Sequence, residues 1–455
     1  MASWTCNIVL YGTVFDVGGP MMLIYSTIIV TLGQCLLMAS LGEMCSIWPY
    51  SGGQQAYTKH LAPASCRRFL SYLIGWIVYL GEIATSAGCA MNSAQIVTAV
   101  VQLHYHNYIP TRWHIWLIYS GILLLSILFS FTQRHLPVIA LIGALVTVGG
   151  GIAWATTFLV LAQKHEAAFV FNYLINRSGY TSTGWVGLMS IYTPVYALYG
   201  TDGVLHITEE IHCPEKNAPR AMILSMVLSG ITSLMGAVVL GFCAGNWQSY
   251  MESDLPFIPW FVEILDNVTG AIVLAIVVLV FLNFLIIVGI NTAASRMAWS
   301  MATDHALPFS DVLMRINPTF QTPINTILLT VAAEMVIGLV VFGSDYAFEA
   351  IVSLGGVAFQ IGYLTPVLLL IIRGRSALPS GRYFDLGRFG LVINVSSVCW
   401  SSLIIVILLF PLYVPVTPGD IYNMNWAVVM CGGLILAVAV DWVFRGRFHY
   451  IVPAL

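Results

Sequence analysis

From residue 21 to residue 444 one pattern repeats: an apolar run of about twenty residues or more, followed by a short polar stretch. A helix rising about 1.5 Å per residue needs that length to cross roughly 30 Å of hydrocarbon. Only helices and closed barrels can make the crossing with every backbone NH and CO bonded. Runs near 21–47, 69–103, 113–131, 136–163, 184–205, 219–245, 268–295, 323–342, 346–372, 389–411 and 424–444 predict eleven spans. Charged residues make up 8% of the chain and hydrophobic ones 59%, against about 25% charged in soluble domains. The expected fold is an all-α membrane protein, a single polytopic domain over residues 1–455 whose partner is the lipid bilayer. Ahead of the runs lies Trp4 to Phe15, too short to cross and read as half a helix. No basic stretch or small-residue cleavage site accompanies it, which argues against a signal peptide.

Basic residues set the orientation, because cytoplasmic loops are enriched in Lys and Arg. Alternate loops and ends hold Lys59, Arg67, Arg68, Arg134, Lys216, Arg220, Arg296, Arg315, Arg373, Arg375, Arg382, Arg388, Arg445 and Arg447, leaving only Arg112, Lys164 and Arg177 of the 17 for the other side. One span more or fewer would scramble this division. The C-terminus is therefore expected in the cytoplasm, with the chain in the plasma membrane. Sequons at Asn176 and Asn267 fall in outside loops as glycosylation candidates, and a third at Asn394 falls inside a span. A net charge of -3 gives no basic face for nucleic acid. The nine cysteines are scattered without Cys-x-x-Cys or zinc spacing, and no metal is assigned.

The run 184–205 ends abnormally, in Tyr199-Gly200-Thr201-Asp202-Gly203-Val204-Leu205-His206-Ile207-Thr208-Glu209-Glu210. Two glycines, a carboxylate and a His-x-x-Glu-Glu cluster predict a broken helix, tolerated in a membrane only where it lines a cavity or lies within protein. Transporters build substrate sites at such breaks near the bilayer midplane.

Several ordered blocks resemble the amino acid/choline/GABA permease group of the amino acid-polyamine-organocation superfamily, its fungal members above all. They are Gly18-Gly19-Pro20; Ser40-Leu41-Gly42-Glu43-Met44-Cys45-Ser46-Ile47-Trp48-Pro49 with Gly52-Gly53-Gln54; Gly200-Thr201-Asp202-Gly203 with His206, Glu209, Glu210 and Ala218-Pro219-Arg220-Ala221; and Ala294 through Asp304 before Leu307-Pro308. The likeness runs from Ser3 to Pro453. It implies a leucine-transporter-type fold of two inverted five-helix repeats plus two helices, with helices 1 and 6 interrupted. Trp4 to Phe15 would then be the second part of helix 1, an N-terminally truncated first helix. Thr201 stands where the group usually has an aromatic residue, and Thr303 where it has arginine.

Asp202 is the leading candidate, since a carboxylate in the membrane costs about 2.5 to 3.5 kcal/mol. Its bland alternative is a helix N-cap. Free amides around Gly200 and Gly203 could receive a substrate carboxylate. Tyr196, Tyr199, Gly200, Thr201, Asp202, Gly203, Asn283 and Gln360 form the expected substrate-binding set, although Asn283 and Gln360 could instead join helices. Tyr192, Tyr196 and Tyr199 recur at helical spacing and could hold a quaternary ammonium, or simply pack. Glu82 and Asp202 are the proton-coupling candidates, with a neutral hydrogen-bonded contact as the alternative for Glu82. For Glu334 that structural role is expected. Glu43, His206, Glu209, Glu210, Arg220 and Arg296 are expected at an inner gate. Lys164 stands outside its span, so no internal lysine there mimics a bound sodium ion, and proton coupling, sodium coupling and uncoupled exchange all stay open. No resident cofactor and no nucleophile-base set point to an enzyme. The expected function is a permease moving amino acids or related amines, GABA and choline among them, by alternating access. The competing expectation is a non-transporting nutrient sensor or an inactive truncated permease.

Overall fold

Ten helices long and apolar enough to cross a bilayer occur among the described residues of the computed structural model: Gly19–Cys45, Arg67–His104, Arg112–Ser130, Pro137–Leu161, Pro214–Phe242, Val268–Thr303, Ile324–Phe342, Asp345–Arg373, Gly387–Leu409 and Ala427–His449. The structure describes residues 2–105, 107–131, 136–417, 419 and 423–452. Arg134 and Pro453 lie outside the described residues. The architecture is all-α, and its one small sheet pairs Val17–Gly18 antiparallel with Ile175–Asn176.

The ten helices coincide with ten of the eleven apolar runs. The remaining run, 184–205, is the exception for the reason its glycines and carboxylate suggest: it is built from Thr183–Met189, Tyr192–Ala197 and Gly203–His206, with non-helical residues between the last two. A second discontinuity, at Ser190–Ile191, carries no glycine and was not anticipated.

The N-terminal fragment is two short helices, Ser3–Val9 and Tyr11–Asp16, set inside the bundle. Trp4, Ile8, Tyr11 and Phe15 are fully buried. Their polar atoms find partners within the protein, as a dry interior demands. The Trp4 indole donates to the Thr147 carbonyl at 3.2 Å, the Asn7 amide to the Ser233 carbonyl at 2.8 Å, and the Tyr11 hydroxyl to the Ala244 carbonyl at 2.6 Å.

The 38-residue helix Arg67–His104 is central, packing against Asp345–Arg373 and Val268–Thr303. Small residues permit the close approach, as is usual where lipid removes the hydrophobic drive between helices. Gly81 faces Ala358, and Gly355 faces Thr85. Elsewhere large apolar side chains such as Leu145 and Leu436, each 65% exposed, cover the outside. That surface suits hydrocarbon rather than water.

Acidic residues divide between the two ends as the basic ones do. Asp345 and Asp16 pair with Arg112 and Arg177 at one end. Glu43, Glu210, Asp304 and Asp441 pair with Arg375, Arg296, Lys59 and Arg445 at the other. Of the sequons, Asn176 and Asn267 are exposed, the first donating to the Tyr180 carbonyl at 2.7 Å and the second capping a helix through Gly270 N at 2.9 Å. Asn394 is buried against Ser40. All nine cysteines are free thiols.

Gly338 tests the packing. A Cβ there would collide with the buried ring of Tyr119, which is pinned by a 2.6 Å bond from its hydroxyl to the Glu334 carbonyl. Overpacking of this kind costs about 1–3 kcal/mol. Gly338→Val should lower the melting temperature of the purified protein, and Val341→Ala in the following turn should not reproduce the expulsion of Tyr119. Near-ultraviolet circular dichroism of the tyrosine band reads that difference.

Candidate functional site

Gly200 adopts φ +88°, a conformation that costs an L side chain dearly, and the position of its missing Cβ opens onto empty space. Here the helical ladder stops. The Gly200, Thr201 and Asp202 amides donate to no acceptor among the described residues, and the turn resumes only with Gly203 N to Gly200 O at 3.2 Å. Three successive free amides beside an exposed glycine form an acceptor-hungry patch, because unbonded backbone groups within protein are costly.

Asp202 lies directly beneath and is fully buried. It occupies an N-cap position, yet its side chain makes no capping bond. Instead Oδ2 accepts from the Gln54 amide at 3.0 Å, and Oδ1 has no partner. Gln54 opens the short helix Gln54–Leu61, entered through Gly53 at φ +48°. A Cβ on Gly53 would press on His206 at 3.1 Å, so this glycine lets the two segments meet.

The fold adds Glu82 to this pair. One ligand atom from each of Glu82, Asp202 and His206 lies within 4.8 Å of the others, all three residues being buried. Sequence spacing linked His206 to Asp202 and Glu210, and gave no sign of Glu82. His206 Nδ1 sits 3.0 Å from the Ser51 carbonyl, so that nitrogen carries hydrogen. Nε2 then presents a lone pair, unpartnered and 4.0 Å from Glu82 Oε1. Tyr363 is the further neighbour of both carboxylates. The set has the donor types of a cation site, and its 4.0 Å gap between His206 and Glu82 is wider than direct hydrogen-bond reach.

The remaining expected residues separate into groups. Tyr199 donates to the Gly356 carbonyl at 3.1 Å and receives the Gln360 amide at 3.4 Å, while Gln360 Oε1 is unpartnered. These two flank the break. Thr201 is buried within it. Asn283 stands apart, donating to Asn92 at 3.0 Å just after the π-helical turn Ala275–Val280. Tyr192 and Tyr196, with centroids 4.7 Å apart, line a cavity of about 530 Å³ at the Arg112 end of the molecule, as does Asn92.

The expected gate residues are likewise divided. Arg296 Nε donates to Glu210 at 2.9 Å, and Ser51 N to Glu209 at 3.1 Å, closing the face beneath Asp202. Lys59 pairs with Asp304, and Gln55 reaches the same carboxylate at 3.3 Å. His206 belongs with Glu82 and Asp202 rather than with these pairs. Glu43 shares no partner with them: it accepts from Arg375 at 2.7 and 2.8 Å, Arg382 at 3.0 Å and Leu386 N at 3.1 Å, clamping the loop that follows Arg373. Arg220 is exposed, with no ion pair among the described residues. Gln54, Ser51 and Tyr363 were missed in the sequence. Gln54 stood in the Gly-Gly-Gln block, and Tyr363 lies three residues from Gln360 on the same helix face.

Two outcomes follow at the closed face. Glu43→Gln leaves two arginines, 17% and 12% exposed, with only the half-exposed Asp385 carboxylate as counter-ion among the described residues, and should destabilise by about 3 kcal/mol, read by thermal unfolding in detergent. His60, stacked on Trp48 at 4.5 Å, is pushed down to about 4 by burial and by Lys59, Arg67 and Arg373. An unfolded histidine binds its proton near pH 6.5, so between pH 6.5 and 4 the unfolded chain holds more protons at this position. Its stabilising share is complete above 6.5 and is lost as pH falls towards 4. The wild type should therefore lose more melting temperature between pH 7 and 5 than His60→Gln.

The profile of the amino acid permease family matches residues 5–435. The chain is 30% identical over 442 residues to a choline transporter of Saccharomyces cerevisiae, covering 95% of this chain and 77% of that one. It is 27% identical to amino-acid permease 2 of Neurospora crassa, covering 100% and 82%, and 27% identical to the amino-acid permease BAT1 of Arabidopsis thaliana, covering 97% and 88%. A match along nearly the whole chain, with the broken segment inside it, identifies a multi-pass membrane protein that belongs to the amino acid permease family.

Proposed function

We propose that this permease is one transport domain that carries amino acids or related small amines, choline and GABA among them, across the plasma membrane by alternating access. Two inverted five-helix repeats would rock around the break at Tyr199 to Asp202, with the basic end and the C-terminus in the cytoplasm. The observation that carries this reading is the patch of three free amides over a buried carboxylate. A zwitterion fits it by setting its carboxylate on the amides, with its ammonium towards Tyr199, Gln360 and Asp202. A choline-like cation would use the carboxylate and the tyrosines alone.

The conformation described has Arg296–Glu210 and Ser51–Glu209 joined at the basic end, and the cavity lined by Tyr192 and Tyr196 at the other. Substrate would arrive from outside, and release would require those bonds to part. The Glu82–His206–Asp202 set supports coupling to a proton. With Nδ1–H held by Ser51, a proton at Nε2 or on Glu82 offsets charge that burial makes expensive, and its loss to the cytoplasm would accompany gate opening. The same donors could hold sodium less well, because a nitrogen ligand suits a hard cation poorly.

Uptake by proteoliposomes under an imposed pH gradient tests the reading. A gradient with the acid side outside should accelerate uptake of an amino acid or amine. Asp202→Asn should reduce uptake at least about tenfold, and Glu82→Gln should abolish the gradient's effect while counterflow exchange persists. Gradient-driven uptake by Glu82→Gln at the wild-type rate would remove the proton relay. Binding without uptake of any amine or amino acid would mark a non-transporting sensor instead.

A further inference from the structure

The cavity at the Arg112 end borders the break through Tyr196, whose ring lies 5.6 Å from that of Tyr199, but its outer walls have a chemistry of their own. Its volume of about 530 Å³ suits a small organic molecule. Among the described residues no lysine or arginine lines it, while Tyr192, Tyr196, Tyr413 and Trp426 do, together with Asp345 and Glu349. The charge of Asp345 is met by Arg112 at 3.1 Å. Glu349 has no ion pair among the described residues. It lies within electrostatic reach of Tyr192, which is in turn a neighbour of Tyr413. The Tyr413 hydroxyl is committed to Asp16 at 3.1 Å, which fixes that ring at the wall.

We propose that this cavity is an outer binding site for an organic monocation, a quaternary or fully substituted ammonium, attracted by Glu349 and held against Tyr192, Tyr413 and Trp426. Aromatic walls with one uncompensated negative charge favour a bulky cation with spread charge. An inorganic ion would ask for six or more oxygen ligands instead. A cleft with low-dielectric walls also focuses the field of its one free carboxylate, raising the local concentration of cations ahead of transfer. The occupant's onward passage to the break rests on the permease reading, but its binding here does not.

Tetramethylammonium is the probe, with neopentyl alcohol as its uncharged isostere, added to the purified full chain in lipid nanodiscs; tryptophan fluorescence reports through Trp426. The wild type should bind tetramethylammonium saturably and the alcohol not at all. Glu349→Gln and Tyr192→Leu should each raise Kd about tenfold or more. Arg112→Ala, which frees the Asp345 charge, should lower Kd, a gain that misfolding cannot produce. No saturable binding to the wild type, or equal binding by Glu349→Gln, overturns the site. Binding with these dependences in a chain that transports nothing would leave the site standing and fail the permease reading; normal uptake without binding would do the reverse.

Discussion

A charged or hydrogen-bonding group in hydrocarbon must have a partner inside the protein, and the break at Gly200 to Asp202 concentrates that demand in three residues. The Asp202 carboxylate cannot be left alone there, so Gln54 is brought to it. Gln54 heads a short helix whose other polar groups are tied to the basic end: Gln55 and Lys59 to Asp304, and the His60 carbonyl to Arg373. Ser51, just before that helix, holds both His206 and Glu209. The broken segment and the closed end are thus joined through one loop and two helical turns. Any rearrangement at Asp202 is felt at the gate without a long chain of intermediaries.

The bonds that close the gate are suited to being broken. Arg296 is almost buried, but Glu210 is 30% exposed, and partly solvated pairs of this kind contribute about 1 kcal/mol or less. A ligand whose differential affinity is a few kcal/mol can shift such a balance. The Glu43 cluster differs. It is a bidentate arginine pair plus a second arginine and a backbone amide, around a carboxylate with no exposure. Partners so numerous on a buried charge make a fixed clamp, so in the proposed cycle Glu43 would belong to the frame and Glu210 to the gate.

Much of the fold was legible because hydrocarbon enforces a coarse code. Ten apolar runs became ten long helices, and the run ending in Gly200-Thr201-Asp202-Gly203 was the one left discontinuous. The glycines and the carboxylate announced that break through backbone freedom and solvation, both local properties. What stayed hidden was everything decided by pairing between distant helices. Nothing near Glu82 in the chain marks its approach to His206, because that contact depends on how Arg67–His104 is rotated against the broken segment. Asn283 fits the centre of a span, yet its place at Asn92, 3.0 Å away on another helix, depends on how the two helices are set against each other. The step at Ser190–Ile191 does have a local signal: Pro194 has no NH to give the Ser190 carbonyl, which accepts from Ser26 Oγ at 3.3 Å instead.

Two buried glutamates show what separates a structural polar group from one able to couple. Ser86 stands one helical turn after Glu82 and donates to Asn291 at 2.7 Å; the Asn291 amide reaches both Ser126 at 3.1 Å and Glu334 at 3.3 Å. Glu334 therefore sits in a net of neutral amides and hydroxyls, all on continuous helices. None of those hydrogen-bonding partners is a charged group, and none lies on the broken segment. Glu82, four residues from Ser86 on the same helix, faces a histidine and a second carboxylate, both carried by the broken segment. In the proposed cycle its protonation would change the energy of the broken segment, and displacement of that segment would change its protonation. That reciprocity is the requirement for linkage between a proton and a conformational state, and it is the reason the proposed coupling is placed on Glu82, beside the broken segment, and not on Glu334.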